Sequence, residues 1–235
     1  MILTAFKNLI FPQKCLGCAS WGEYLCSHCL NLIKVSNSRI CPMCSMPSFG
    51  GLTHPRCYQA YGLDGLTAIF SYKGIVGKAI TKLKYQFVTD LAETILEIFL
   101  SCCGEDKALV KLINKDKTIL IPVPLHRQRQ IWRGFNQSEL LGKMIAEKLG
   151  VGFYPNILIR IKKTAPQTKL KKKDRIKNIK GAFRLNKNLP TSHFTSSILL
   201  FDDVWTTGST LKECARVLKR NGFNKVWGLT LARQD

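Results

Sequence analysis

Between residue 66 and the C-terminus, short apolar runs alternate with stretches in which apolar side chains recur every three or four positions. The runs LTAIFSY (66–72), TILIPVP (118–124), SILLFDD (197–203) and KVWGLTLA (225–232) are bounded by turn formers, which predicts buried strands. Stretches 75–86, 90–103, 137–149 and 209–221 follow the helical period. The last begins after Gly208 and stops at Gly222 behind Lys219 and Arg220, so the glycine breaks the helix and the cations meet the negative end of its dipole. Strands alternating with helices predict an α/β fold, a mostly parallel sheet flanked by helices on both faces. The first 60 residues lack this alternation and read as a separate small domain, 1–60, followed by 61–235. At their start, Ile2, Leu3, Phe6, Leu9 and Ile10 trace one face of a short helix ended by Pro12. Docking of that face on its own domain is the first expectation, and peripheral attachment to the inner face of a membrane the second. No apolar run approaches the eighteen or so residues that would span a bilayer.

Cysteine organises residues 1–60. Seven of the ten cysteines fall there, as Cys15-x2-Cys18, Cys26-x2-Cys29, Cys41-x2-Cys44, and Cys57 with His54 three positions before it. The opening MILTAFKNLIFPQ has neither a long apolar core nor a small-residue cleavage site, so the expected compartment is the cytoplasm and the thiols are expected to be reduced. A CxxC turn presents two thiolates at the separation a tetrahedral zinc ion needs, and such knuckles are used in pairs. Two ions follow. Sequential pairing gives Cys15, Cys18, Cys26 and Cys29 for the first and Cys41, Cys44, His54 and Cys57 for the second; spacing alone leaves a crossed pairing open. With four protein ligands each, both ions read as structural, holding together a segment too small to fold on its own core. Cys102, Cys103 and Cys214 sit among apolar residues at helical spacing and read as core.

The segment 198–210, ILLFDDVWTTGST, combines a buried strand, two adjacent acids and a hydroxyl-rich turn before a helix. At such strand ends an α/β fold binds its ligands. Gly208 allows close approach of an anion, while Thr206, Thr207, Ser209 and Thr210 supply donors for a phosphate. The acids Asp202 and Asp203 would repel that phosphate, so they suit sugar hydroxyls or Mg2+. The segment resembles the type I phosphoribosyltransferase signature. That resemblance implies binding of 5-phosphoribosyl 1-pyrophosphate (PRPP) with Mg2+, its ribose hydroxyls on Asp202 and Asp203 and its 5-phosphate on Thr206 to Thr210. It also implies that the strand-to-helix loop in IPVPLHRQRQIWRGFNQSELL (121–141), with Arg127, Arg129, Arg133, Gly134 and Asn136, meets the pyrophosphate. Further matches are Leu83, Lys84 and Tyr85 to an L-K-Y element, and Arg160, Thr164, Gln167, Leu170, Arg175, Asn178 and Ala182-Phe183 to a second pattern. With the zinc knuckles, the whole chain resembles the ComF/GntX family, competence-associated proteins that join a double zinc ribbon to a phosphoribosyltransferase domain. His54 and Trp205 depart from the usual residues of that family.

Charge adds a partner. Lys and Arg number 36 against 15 Asp and Glu, a formal net charge of +21. That excess points to a polyanion. Residues 160–187 hold twelve Lys or Arg and one Asp. The run Lys169, Lys171, Lys172, Lys173, with Arg175 and Lys177, reads as a mobile basic loop near 162–180 that orders on an anion. Lys84, Lys162 and Lys163 join it as candidate nucleic-acid contacts, with Trp132, Phe135 or Trp205 placed to stack on unpaired bases. Two functions are expected: a PRPP-binding accessory factor of DNA uptake in natural transformation that binds single-stranded DNA and other uptake proteins, and, alternatively, a phosphoribosyltransferase that releases pyrophosphate on attack by a nitrogenous acceptor. Nothing in the sequence identifies that acceptor.

Overall fold

The computed structural model describes residues 13–36, 38–86, 88–113, 117–164, 172–186 and 197–234. The amphipathic stretch expected at residues 1–11 lies outside them. Strands β1 (Gly65–Ser71), β2 (Thr118–Pro122), β3 (Gly152–Phe153), β6 (Ser197–Trp205) and β7 (Lys225–Arg233) form one sheet in the order β1-β7-β6-β2-β3, with every pair parallel. Strands β4 (Leu158–Arg160) and β5 (Phe183–Leu185) make a separate antiparallel pair. At two or three residues, β3, β4 and β5 are too short to leave a period in the sequence.

The helices are α1 (Ser27–Asn31), α2 (Gly74–Tyr85), α3 (Thr89–Gly104), α4 (Lys107–Leu112), α5 (Arg127–Arg133), α6 (Gln137–Leu149), α7 (Lys172–Ile179) and α8 (Ser209–Arg220). Because successive strand residues point to opposite faces, each long strand feeds two cores. Leu120, Leu199, Phe201, Trp227 and Leu229 pack with α2, α3, α4 and α6 on one face. Ile119, Ile121, Ile198, Leu200 and Val226 pack with Leu211, Cys214 and Leu218 of α8 on the other. Burial of both faces explains why the strands read as nearly unbroken apolar runs. Cys103 and Cys214 are core residues, and burial pushes both thiols well up.

Two expected loops are helical. Arg127–Arg133 forms α5, because His126 Nδ1 accepts from the Gln128 amide at its start and Gly134, at φ 79°, closes it in the left-handed conformation. Part of the expected mobile loop, 172–179, is α7. Asp174 lies in its first turn and Lys177 in its last, opposite to the helix dipole at each end, and Ile179 is buried against the α8 core. Residues 165–171, including Gln167, Lys169, Leu170 and Lys171, lie outside the described residues. No helix among the described residues is long and apolar enough to cross a membrane.

The chain between the two cysteine clusters runs antiparallel to β1 and covers its outer edge: Val35 bridges Phe70, the Ser36 amide donates to the Ile69 carbonyl at 2.6 Å, and the Ser71 amide to the Lys34 carbonyl at 3.3 Å. An edge strand left open would be a template for unwanted pairing. Asp106 locks this linker in place. Its carboxylate is paired with Arg39 at 3.1 Å, caps α4 by accepting from the Ala108 and Leu109 amides, and accepts from the Thr67 hydroxyl, which in turn accepts from the Trp227 indole at 3.1 Å. Removing a buried carboxylate with four partners leaves those donors unpaired. Asp106→Ala is therefore expected to lower the unfolding free energy by about 2–4 kcal/mol in urea denaturation of the zinc-loaded protein; a loss below about 1 kcal/mol would show that the tie is not structural.

Candidate anion-binding site and zinc centres

From β2 the chain steps outward to β3, whereas from β6 it steps the other way to β7. The carboxyl ends of β2 and β6 therefore diverge into a crevice, the place where parallel sheets bind ligands. A cavity of about 720 Å³ lies there. Its floor is the end of β6. Asp202 and Asp203 face it, followed by Val204, Trp205, Thr206, Gly208, Ser209 and Thr210 and the start of α8.

The turn is fixed from within. Gly208 sits at φ 69°, and a side chain there would collide with the Trp205 ring at 2.1 Å, so glycine is required both by conformation and by space. Trp205 is only 2% exposed, with the Lys212 ammonium 5.6 Å from its ring. It is a packing residue under the turn and has no free face for a base, which corrects its place among the expected stacking residues. Thr207 does not line the cavity; its hydroxyl donates to Ser209 Oγ at 3.0 Å and accepts from the Ser209 amide at 3.4 Å. Thr206, Gly208, Ser209 and Thr210 do line it, at the amide end of α8, where the helix dipole favours an anion.

The two acids are already partnered. Lys84, from α2, pairs with Asp203 at 3.1 Å, and the Gln137 amide donates to the same oxygen at 3.0 Å. Ser138 Oγ donates to Asp202 at 3.0 Å. Burial and the Asp203 carboxylate push Asp202 up to about 7, against the pull of Lys84. Burial opposes the charge on Lys84, but Asp203 outweighs it and holds the ammonium above the ordinary lysine range. Lys84 is thus a cavity residue and not part of the basic stretch with which its charge grouped it.

Across from the acids, Arg129, Arg133, Arg160 and Arg175 converge on the same cavity. Burial and Arg133 pull Arg129 down, and burial and Arg129 pull Arg160 down, so these guanidinium groups are crowded and incompletely compensated. Arg129 donates to the Thr164 carbonyl at 2.9 Å and Arg160 to the Thr164 hydroxyl, which orients both. Among the described residues, the Nε atoms of Arg133 and Arg160 are buried without a partner. Orphaned cationic donors beside a helix amino terminus are the donor set for a polyanion. Arg127, by contrast, is exposed on α5 and outside the cavity lining, and Gly134 ends that helix. Asn136 is buried as the amino-terminal cap of α6: it accepts from the Ser138 amide and donates to the Val123 carbonyl at 3.2 Å. Lys162 and Lys163 are exposed, away from the lining. Gln137 and Ser138 are cavity residues not singled out in sequence, and the polar run Asn136-Gln137-Ser138 at a helix start was the available signal; Arg160 matched a pattern that gave it no place in the cavity.

The eight expected zinc ligands fall into the two sequential sets, Cys15, Cys18, Cys26, Cys29 and Cys41, Cys44, His54, Cys57, with ligand atoms within 4.8 Å of one another in each. Four sulfurs at 2.3 Å from one ion stand about 3.8 Å apart. The Cys15–Cys26 and Cys18–Cys26 separations of 3.6 and 3.7 Å fit that tetrahedron. His54 fits as well. Its Nε2 lies 3.0 Å from the Pro47 carbonyl and its Nδ1 3.5 Å from Cys44 Sγ, so an Nε2–H donated to Pro47 leaves Nδ1 as the ligand. The knuckles repeat each other. Ala19 and Ser45, each following the second cysteine, both adopt φ 64°, and Lys14–Trp21 and Ile40–Pro47 form the same bridge.

Comparison with known proteins agrees with this division. A double zinc ribbon domain matches residues 6–59. DNA utilization protein YhgH of Salmonella typhimurium is 31% identical over 222 residues, 91% of this chain and 92% of that protein. The chain belongs to the ComF family. Competence protein F of Haemophilus influenzae is 30% identical over 89% of this chain and 98% of its own length, and competence protein ComFC of Bacillus subtilis 26% identical over 85% and 80%. In this ComF-family chain, two tests follow from the geometry. Metal analysis of the purified protein should give two zinc ions, about one in His54→Ala and two again in His54→Cys; two ions in His54→Ala would remove the histidine from the ligand set. The second concerns Asp202. The folded protein keeps its proton up to about pH 7, whereas the unfolded chain releases it near 3.8. Its contribution to stability is therefore complete below about pH 4 and is lost as pH rises through 7. Asp202→Asn removes this loss, so urea melts of the ligand-free proteins between pH 4 and 8 should show the variant gaining on the native chain with rising pH. A constant difference would mean that Asp202 ionises normally.

Proposed function

We propose that the cavity binds PRPP and that the protein is an accessory factor of DNA uptake that also binds single-stranded DNA. The observation that carries the first part is the pairing of two carboxylates with a hydroxyl-lined helix start on one side and orphaned guanidinium donors on the other. The 5-phosphate is assigned to Thr206, Gly208, Ser209 and Thr210 at the start of α8. The ribose hydroxyls are assigned to Asp202 and Asp203, which requires Lys84 to share Asp203 with the sugar. The pyrophosphate is assigned to Arg129 and Arg133, whose planar donors match it, and its Mg2+ would neutralise charge near the two acids, where oxygen ligands are available. Thr206 offers no carboxylate to move a proton on a purine base.

A DNA-uptake role is supported by relatives named competence protein and DNA utilization protein. The +21 charge favours a polyanion larger than PRPP, since a small-molecule transferase needs few cations beyond its pocket. The two zinc ions are proposed to be structural, because all four positions of each are filled by side chains. The cytoplasm remains the proposed compartment.

Calorimetric titration with PRPP and Mg2+ tests the cavity. The native chain should bind saturably, and Asp202→Asn/Asp203→Asn should bind roughly 100-fold more weakly or not at all. No binding to the folded, zinc-loaded chain would overturn the assignment. Pyrophosphate released with nitrogenous acceptors, assayed on the same sample, would favour the transferase reading.

A further inference from the structure

Two large aromatic side chains stand open at the mouth of the cavity. Trp132, on α5, is 72% exposed and Tyr85, the last residue of α2, 59%. Their rings meet edge to face at 6.1 Å, and the Arg133 guanidinium lies 5.5 Å from the Tyr85 ring. Single exposed apolar residues are ordinary, but an edge-packed pair with a guanidinium at a cationic cavity rim is a stacking surface. A second depression, of about 670 Å³, continues from this mouth: it shares Tyr72, Thr81 and Tyr85 with the cavity and runs on past Lys82, Lys78 and Lys73 to Leu16, beside the first zinc cluster. Lys78, Lys82 and Tyr85 are spaced to lie along one face of α2. Lys78 donates to the Leu16 carbonyl at 3.0 Å and Lys82 to Gln86 at 3.2 Å, which leaves further protons on each ammonium. Among the described lining residues, Asp202 and Asp203 are the only acids of either depression.

Resting on the single-strand reading above, we propose that Trp132 and Tyr85 form a stacking platform for an unpaired base of a DNA strand, whose phosphates follow Lys82 and Lys78 along the groove between α2 and the first zinc cluster. Stacking needs an open ring face, which a base inside a duplex does not offer. Phosphate charge complements the lysines, and the aromatic pair adds what the basic stretch 160–187 supplies by charge alone. The strand then lies against the zinc ribbon and the cavity together, which gives the ribbon a wall of the binding groove.

Fluorescence anisotropy of a labelled oligothymidylate and an abasic strand of equal length, titrated with the full zinc-loaded chain at several salt concentrations, tests this. The native chain should bind the thymidylate about tenfold tighter than the abasic strand or better, and Tyr85→Ala/Trp132→Ala should lose that advantage while keeping its salt dependence. Lys78→Ala/Lys82→Ala should keep the advantage and reduce the salt slope by about 1.4. An advantage that survives in Tyr85→Ala/Trp132→Ala overturns the platform. So does thymidine monophosphate binding that is lost in that variant while strand binding is unchanged, since the rim would then serve a small molecule. A slope reduced only by Lys171→Ala/Lys172→Ala/Lys173→Ala moves the strand to the basic stretch. Failure of the native chain to bind either strand rejects the single-strand reading itself, and leaves the PRPP titration as a separate question.

Discussion

Five cations and two carboxylates share the cavity between the ends of β2 and β6, and holding them together is the constraint around which the domain is arranged. Neither set would sit there alone. Asp202 and Asp203 are adjacent acids under cover; burial first, and then repulsion by Asp203, lets Asp202 keep its proton to about pH 7. Lys84 offsets part of that repulsion through Asp203, whereas burial and a neighbouring guanidinium pull Arg129 and Arg160 down. Five elements hold these groups: the acids lie on β6, Lys84 on α2, Arg129 and Arg133 on α5, Arg160 on β4 and Arg175 on α7. Close packing of both sheet faces keeps those elements in register, so the apolar core is what makes the uncompensated charge tolerable.

The zinc ribbons serve the same end from outside. Apart from cysteines and Pro42, Leu25 is the one apolar side chain buried among their described residues, so the proposed ions would stand in for a core. Yet they are not a detached appendage. The linker between them closes the edge of β1, Arg39 reaches the Asp106 that caps α4, and Arg233 at the end of β7 donates to the Ser38 carbonyl at 3.0 Å and the Ser38 hydroxyl at 2.9 Å. Leu25 enters the main core on the α2 side. The segment between the two cysteine clusters is thereby tied to the sheet domain, through contacts that join residues 67 to 195 positions apart.

Much of this was legible in residue order. Ile198 to Phe201 form the buried part of β6 because four apolar residues in a row suit a position covered on both faces, and Asp202-Asp203 lie toward its end, where a carboxylate can reach a cavity. The cysteine spacing marked the four knuckles, since a CxxC turn closes locally, but left their pairing open until the fold brought them together in sequential pairs. Misreadings came where local pattern and long-range contact disagree. The lysine-rich run looked too repulsive to order, but Asp174 and the burial of Ile179 make 172–179 a helix. Trp205 counts among the stacking candidates in sequence as an aromatic of a strongly basic chain, but Gly208 folds the turn back over its ring and leaves it 2% exposed.

The sequence by itself determined what depends on neighbours a few residues apart: strand and helix periods, the metal knuckles, the hydroxyl-rich glycine turn at 206–210 and the overall charge. Only the tertiary structure decided which distant residues meet. Lys84 and Asp203 are 119 positions apart and pair at 3.1 Å because α2 packs on the sheet face below the end of β6. Arg127 and Arg129 are two apart, yet one leaves the cavity and the other enters it because two residues along a helix point about 200° apart around its axis. No local pattern carries such information, since contact across the fold is set by the packing of whole elements, and a side chain's partner follows from the direction in which its element presents it.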